Sequence, residues 1–128
     1  MMLKTIVLED EDLIAQDLAQ TLRELGHEVC GIAHQVAELA SLMQQHTPDL
    51  VTIDVNLGER HDGIGVATVL EAAGPLPIVF VTGAADEQEQ EEMRCIEGAA
   101  LVLKPFTRET LKAAIELAVA RAQEAKES

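Results

Sequence analysis

The chain has 128 residues, 48% of them apolar, which suits one domain with a packed core and is too short for two ordinary domains. Its formal net charge of −14 would repel nucleic-acid phosphates and anionic membrane surfaces, and the lack of Trp and Tyr disfavours stacking on bases. No signal peptide or membrane-spanning run is evident, so a cytoplasmic protein without nucleic-acid or membrane partners is expected.

Five short apolar runs, rich in Val, Ile and Leu and with little alternation, are typical of strands buried on both faces of a parallel sheet. They are Thr5–Leu8, Glu28–Ile32, Leu50–Ile53, Ile78–Val81 and Ala100–Leu103. A segment with helical spacing of apolar residues follows each run. The first of these segments contains Leu13, Ile14, Leu18, Leu22 and Leu25, and Asp12 is its predicted N-cap.

Strand–helix alternation repeated five times predicts right-handed crossovers and helices on both faces of one sheet. The economical α/β architecture is a doubly wound, five-stranded parallel sheet, for which the strand order 2-1-3-4-5 is a known solution. We expect a single domain over residues 1–128, with its core at about 4–122 and a polar tail, Gln123–Ser128, that frays. Ligands of such sheets bind beyond the carboxyl ends of the strands, between strands one and three.

Charged and polar side chains stand at these carboxyl ends. Glu9 and Asp10 follow the first strand, Asp54 follows the third, Thr82 the fourth and Lys104 the fifth. Three carboxylates in a half-buried crevice would repel one another, and a divalent cation removes that conflict. The set therefore predicts a Mg²⁺ site, with Mn²⁺ as the alternative metal.

The remaining groups point to phosphoryl chemistry. Lys104 supplies a compact positive charge and Thr82 a hydroxyl donor, which together with a cation can stabilise the charge on a transferring phosphoryl group. A carboxylate at the centre of such a set can itself be the nucleophile and form an aspartyl phosphate.

Four segments resemble, in order, the motifs of the receiver domains of two-component response regulators. They are VLEDED at 7–12, TIDVNLG at 52–58, VFVTG at 79–83 and LVLKPF at 101–106. The resemblance runs from Lys4 to about Ala122, and PIVFVTG at 77–83 partly resembles a subset of single-domain receivers. It implies a flavodoxin-like three-layer sandwich with five helices.

The resemblance also implies roles for the residues at the strand ends. Asp54 corresponds to the phosphoacceptor, and Glu9 and Asp10 correspond to acids that bind the metal together with it. The backbone carbonyl of Asn56 would complete the protein ligands of the metal. Lys104 would pair with one phosphoryl oxygen.

Further roles follow from the same resemblance. Thr82 would hydrogen-bond a phosphoryl oxygen, and the backbone N–H groups of Asn56 and Gly83 would donate to others. The Lys104–Pro105 peptide bond is expected to be cis. Leu101 stands where many receivers carry an aromatic residue that moves when the Thr engages phosphate, so the conformational switch is expected to differ here.

The implied partner is a histidine kinase or a histidine phosphotransfer protein, docked at Leu13, Ile14 and Phe106. The chain would then be a signalling switch and not an enzyme with a separate substrate. Two alternatives remain open at this point. One is a phosphohydrolase of the haloacid-dehalogenase kind, although Asn56 stands where those enzymes carry a second acid. The other is a binding module of the same fold that signals without phosphorylation.

Overall fold

Strands and helices alternate along the whole chain in the computed structural model, which describes residues 1–57 and 62–128. The strands are β1 (Lys4–Leu8), β2 (Glu28–Ala33), β3 (Leu50–Ile53), β4 (Ile78–Thr82) and β5 (Ala99–Leu103). The helices are α1 (Asp12–Glu24), α2 (Val36–Gln45), α3 (Gly63–Ala72), α4 (Glu87–Arg94) and α5 (Arg108–Glu127). All five predicted strands are present, four of them longer by one residue. Gly58, the last residue of the second motif, lies outside the described residues.

The strands form one parallel sheet in the order β2-β1-β3-β4-β5, which confirms the predicted doubly wound α/β architecture. β1 pairs with β2 on one side and with β3 on the other, and Leu8 at the end of β1 lies opposite Ile53 at the end of β3. The carboxyl ends of β1 and β3 therefore meet at the point where the chain reverses its direction across the sheet, where ligands bind in such folds.

Alternate residues of the strands feed two apolar cores, one on each face of the sheet. Ile6, Leu8 and Phe80 belong to the core shared with α2, α3 and α4. Val7 and Val79 belong to the core shared with α1 and α5. Because both faces are covered, the strands carry apolar residues at nearly every position, which explains the lack of alternation in the sequence.

Two details of the helices differ from the expectations. Glu11, not Asp12, is the N-cap of α1, and the Asp12 carboxylate instead lies 2.9 Å from Nε2 of His34. The polar tail, which was expected to fray, is part of α5, which continues through Glu127. There Gln123 donates a hydrogen bond to the Glu127 side chain four residues on, and so supports the last turn.

Among residues 1–57 and 62–128, no helix combines the length and the apolar character that crossing a membrane would require.

Candidate functional site

The residues at the carboxyl edge of the sheet are held by backbone hydrogen bonds that continue the strand ladder. The N–H of Glu9 donates to Ala33 at 3.0 Å, and the N–H of Asp54 donates to Leu8 at 3.0 Å. On the other side of the site, the N–H of Lys104 donates to the carbonyl of Thr82 at 2.7 Å. The side chains of β1, β3, β4 and β5 are therefore positioned by the sheet itself.

Three acids converge at this edge, as predicted. Glu9 is only 1% exposed and Asp54 only 5%, whereas Asp10 is open to solvent. Each of the three offers a carboxylate oxygen that lies within 4.8 Å of the others. In the described part of the chain, this is the cluster whose spacing suits a bound metal ion.

Lys104 completes the cluster, but it is closer to one acid than to the other. Its Nζ lies 2.7 Å from Oε1 of Glu9 and 3.7 Å from Oδ2 of Asp54. Burial alone would lower the pKa of Lys104, but the contact with Glu9 and the charge of Asp54 outweigh it and raise this pKa. The ammonium is therefore firmly charged and paired mainly with Glu9.

Burial also controls the two enclosed carboxyls. Loss of hydration raises the pKa of Glu9 to about 7, and the neighbouring ammonium of Lys104 only partly opposes this shift. Burial likewise raises the pKa of Asp54, while hydrogen bonding to Glu9 and to the N–H of Asn56 opposes it. The single ammonium of Lys104 does not neutralise both buried acids. A further positive charge in the crevice would therefore stabilise their ionised forms.

These shifts predict a pH dependence of stability. In buffer with EDTA, the free energy of unfolding of the wild type should fall, relative to Glu9→Gln, as the pH rises from about 5 to 8. The folded-state pKa of Glu9 is about 7 and its ordinary value is 4.5, so the folded state binds the proton more tightly. The stabilisation of the folded state by protonated Glu9 is complete below pH 4.5 and is lost as the pH rises through the folded-state pKa of about 7. The loss lowers the free energy of unfolding by up to about 3 kcal/mol. Urea unfolding at several pH values checks this, and a pH-independent difference would contradict it.

The chemistry of this crevice fits a divalent cation. Oε1 of Glu9 is buried and makes no well-aligned hydrogen bond, although Lys104 Nζ is close to it. The side-chain atoms that could bind the metal are carboxylate oxygens, which are the ligands that Mg²⁺ prefers. Because Asp10 is exposed, one side of the site is open to water. When bound, the cation would supply positive charge to the acids and to incoming phosphoryl oxygens.

Thr82 and its neighbours border the site. The hydroxyl of Thr82 donates to the carbonyl of Ala84 at 3.0 Å, within the segment that leads to α4. The N–H of Asn56 donates to Oδ1 of Asp54 at 3.2 Å, and Gly83 is exposed. The resemblance implies that the N–H of Asn56 and the hydroxyl of Thr82 donate to phosphoryl oxygens. In this structure both donate to nearby protein atoms.

β5 carries two exposed leucines, and the segment that follows it borders a cleft beside the site. Leu101 is 36% exposed on edge strand β5, and its alternate neighbour Leu103 is exposed too. The peptide bond between Lys104 and Pro105 is cis, as the resemblance implies. A cleft of about 320 Å³ opens beside Lys104 and is lined by Ile14, Asp17, Lys104, Pro105 and Phe106.

Leu13 is 85% exposed, so the sequence pattern that placed it in a buried stripe does not describe it. The buried face of α1 consists of Ala15, Leu18, Ala19, Thr21 and Leu22. Leu13 lies in the first turn, at the carboxyl edge of the sheet and off this buried face. Together with the half-buried Ile14 and Phe106, it leaves apolar surface open near the site.

Gly63 is a residue at the site that the sequence did not reveal. Its N–H donates to Val55 at 2.9 Å, and a Cβ added to it would lie closer than 3.0 Å to the backbone of Asp54. The first residue of α3 thus packs directly against the backbone of Asp54. The only signal in the sequence was a glycine at the start of a helical segment, which is not specific.

Comparison with known proteins identifies the family of the chain. The family model of the response regulator receiver domain matches residues 5–116 of the sequence. The chain belongs to the response regulator receiver family.

Several receiver-family proteins resemble the chain over most of its length. The transcriptional regulatory protein PdtaR of Mycobacterium tuberculosis (strain ATCC 25618 / H37Rv) is 40% identical over 121 residues, which cover 94% of this chain and 58% of PdtaR. The phyllosphere-induced regulator PhyR of Methylorubrum extorquens is 30% identical over 115 residues, 89% of this chain and 42% of PhyR. The chain thus spans about half the length of these two relatives.

A solved structure shows the same fold. The signal receiver domain of a modulated diguanylate cyclase from Desulfovibrio desulfuricans G20 superposes with a TM-score of 0.82 at 26% identity. The match covers 97% of this chain and 98% of that domain. The receiver fold therefore accounts for nearly the whole chain.

Proposed function

We propose that this receiver is a phosphorylation-dependent signalling switch in which Asp54 accepts a phosphoryl group from a phosphohistidine. The donor would be a histidine kinase or a histidine phosphotransfer protein, and Mg²⁺ or Mn²⁺ would be the required cation. The observation that carries this proposal is the position of Asp54. It is a buried carboxylate at the switch point of the sheet, with Lys104 Nζ 3.7 Å away and two further acids beside it.

The transfer step is a displacement at phosphorus. An oxygen of the Asp54 carboxylate attacks, the new P–O bond forms, and the P–N bond to the donor histidine breaks with its electron pair returning to the imidazole. Lys104 would neutralise charge on the phosphoryl oxygens, and the N–H of Gly83, an exposed residue, would donate to them. The N–H of Asn56 already points to the Asp54 carboxylate and keeps the nucleophile oriented.

Thr82 would read out the modification. Its hydroxyl has one proton, which it now donates to Ala84, so donation to a phosphoryl oxygen requires that this bond break. Loss of the bond would release the segment between β4 and α4. Since Leu101 is aliphatic and already partly exposed, the readout would pass through this segment without an inward-turning aromatic ring. The altered surface would bind a downstream protein partner in the cytoplasm.

The proposed function is tested by intact mass spectrometry. Wild type incubated with acetyl phosphate is expected to gain one phosphoryl group in the presence of Mg²⁺ and none in EDTA. Asp54→Asn should gain none under either condition, whereas the matched control Asp49→Asn, an exposed acid before β3, should behave as wild type. Equal modification of Asp54→Asn would contradict the assignment of the phosphoacceptor. Lack of any modification would favour a binding module that signals without phosphorylation.

The donor-docking role of Leu13 gives a further prediction. The phosphodonor is a phosphohistidine protein that phosphorylates the wild type. Leu13→Ser is expected to slow phosphoryl transfer from this donor about tenfold, which is the effect of losing one apolar interface contact. Acetyl phosphate needs no docking surface and serves as the reference donor. The control is Leu117→Ser on α5, which removes a side chain that is 53% exposed. Equal slowing by the two variants, or slowing with both donors, would remove Leu13 from the docking surface.

A further inference from the structure

We infer that Glu9 is a positioning residue for Lys104: it holds the ammonium away from Asp54, and a divalent cation that engages Glu9 releases Lys104 to Asp54. This inference rests on the proposed function and deepens it. It concerns the order in which the charged groups of the site come into use.

The first support is the asymmetry of the contacts. Lys104 Nζ lies 1.0 Å closer to Glu9 Oε1, at 2.7 Å, than to Asp54 Oδ2, at 3.7 Å. Glu9 is almost completely buried and the Lys104 side chain is 17% exposed, so solvent screens this contact only weakly. The ammonium is therefore held by the acid that the proposed function does not phosphorylate.

The second support is the use of the two oxygens of Glu9. Oε2 accepts a hydrogen bond from the N–H of Glu11 at 3.2 Å, which leaves Oε1 as the oxygen without a well-aligned hydrogen bond. Oε1 is also the atom that faces Lys104. A cation that draws on Glu9 therefore competes with Lys104 for the same oxygen.

Competition has a measurable consequence. If Lys104 must leave Glu9 for the cation to bind, removal of the ammonium should raise the affinity for the cation. The size of this increase in affinity should then depend on whether Glu9 is present. A positive charge that acts only through the general field of the site would also weaken cation binding, but it would do so whether or not residue 9 is ionised. The two cases are separated by combining substitutions at both positions.

The experiment is isothermal titration calorimetry with Mg²⁺, without a phosphodonor, on wild type, Glu9→Gln, Lys104→Met and the double variant. We expect Lys104→Met to raise the Mg²⁺ affinity by about tenfold, the effect of removing one partly buried neighbouring charge. In the Glu9→Gln background the same substitution should change the affinity by less than about threefold, because the competition is already absent. Equal gains in the two backgrounds would overturn the inference, and so would a lack of Mg²⁺ binding by the wild type.

A crystal structure of the wild type with Mg²⁺ tests the inference without any substitution. Lys104 Nζ should then lie closer to Asp54 than to Glu9, and persistence of the 2.7 Å contact with Glu9 would overturn the inference. Phosphorylation of Asp54 by acetyl phosphate is assayed on the same samples. Mg²⁺-dependent phosphorylation with equal gains in the two backgrounds would reject the positioning role alone. Failure of phosphorylation as well would reject the proposed function.

Discussion

Gly63→Ala is expected to lower the free energy of unfolding by about 3 kcal/mol, at the upper end of the range for overpacked sites. The added Cβ would lie closer than 3.0 Å to the carbonyl group of Asp54 and 2.9 Å from Cγ2 of Ile53. Two of these neighbours are backbone atoms of a segment that the sheet holds in place, so the clash is relieved only by moving α3 or the end of β3. Urea unfolding followed by circular dichroism measures the effect.

Gly65→Ala is the matched control for this substitution. It lies in the same helix, two residues further on, and its added Cβ would have only the Asp62 Cβ nearby, at 4.0 Å. Since alanine is the better helix former, Gly65→Ala should stabilise the protein by about 0.5–1 kcal/mol. The two substitutions are chemically identical and are expected to have opposite signs. A stabilising Gly63→Ala would show that α3 does not pack against Asp54 as described.

The second large effect concerns Lys104. Lys104→Met should slow the phosphorylation of Asp54 by acetyl phosphate by about 10²–10³, the usual effect of removing one group that stabilises transition-state charge. The substitution keeps most of the length of the side chain but removes the charge that lies 3.7 Å from Asp54. Rates are measured by the appearance of the phosphorylated mass at saturating Mg²⁺, so that a change in metal affinity does not enter.

Lys112→Met provides the comparison, because Lys112 is an exposed lysine on α5 at the opposite edge of the sheet from Asp54. Its rate should equal that of the wild type within about twofold, as for a surface charge away from the reaction. If Lys104→Met slowed the reaction by less than tenfold, Lys104 would have no substantial part in stabilising the transferring phosphoryl group.

The fold was predictable from sequence because burial on both faces of the sheet leaves a strong pattern. Continuous apolar runs identified β1 to β5 to within one residue at each end. The weaker points were positions where one local pattern allows two environments. Leu13 is an apolar residue at the start of the helical segment, yet it lies off the face that Ala15, Leu18 and Leu22 bury and is exposed.

The composition of the site was also predictable, since carboxyl ends of parallel strands meet at one edge. Its internal arrangement was not. Whether Lys104 lies nearer to Glu9 or to Asp54 depends on side-chain lengths and on burial, which strand order alone does not fix. The close approach of Gly63 to Asp54 arises from tertiary packing between α3 and β3, and no local motif encodes it.

The central claim, that Asp54 carries the phosphoryl group, is tested most directly by locating the acyl phosphate. Protein treated with acetyl phosphate and Mg²⁺ is reduced with borohydride, which converts a phosphorylated carboxyl to an alcohol, and the modified residue is identified by peptide mass spectrometry. We expect homoserine at position 54, with Glu9 and Asp10 unchanged. Reduction at Glu9 or Asp10 in place of Asp54, or at no residue of the site, would contradict this account.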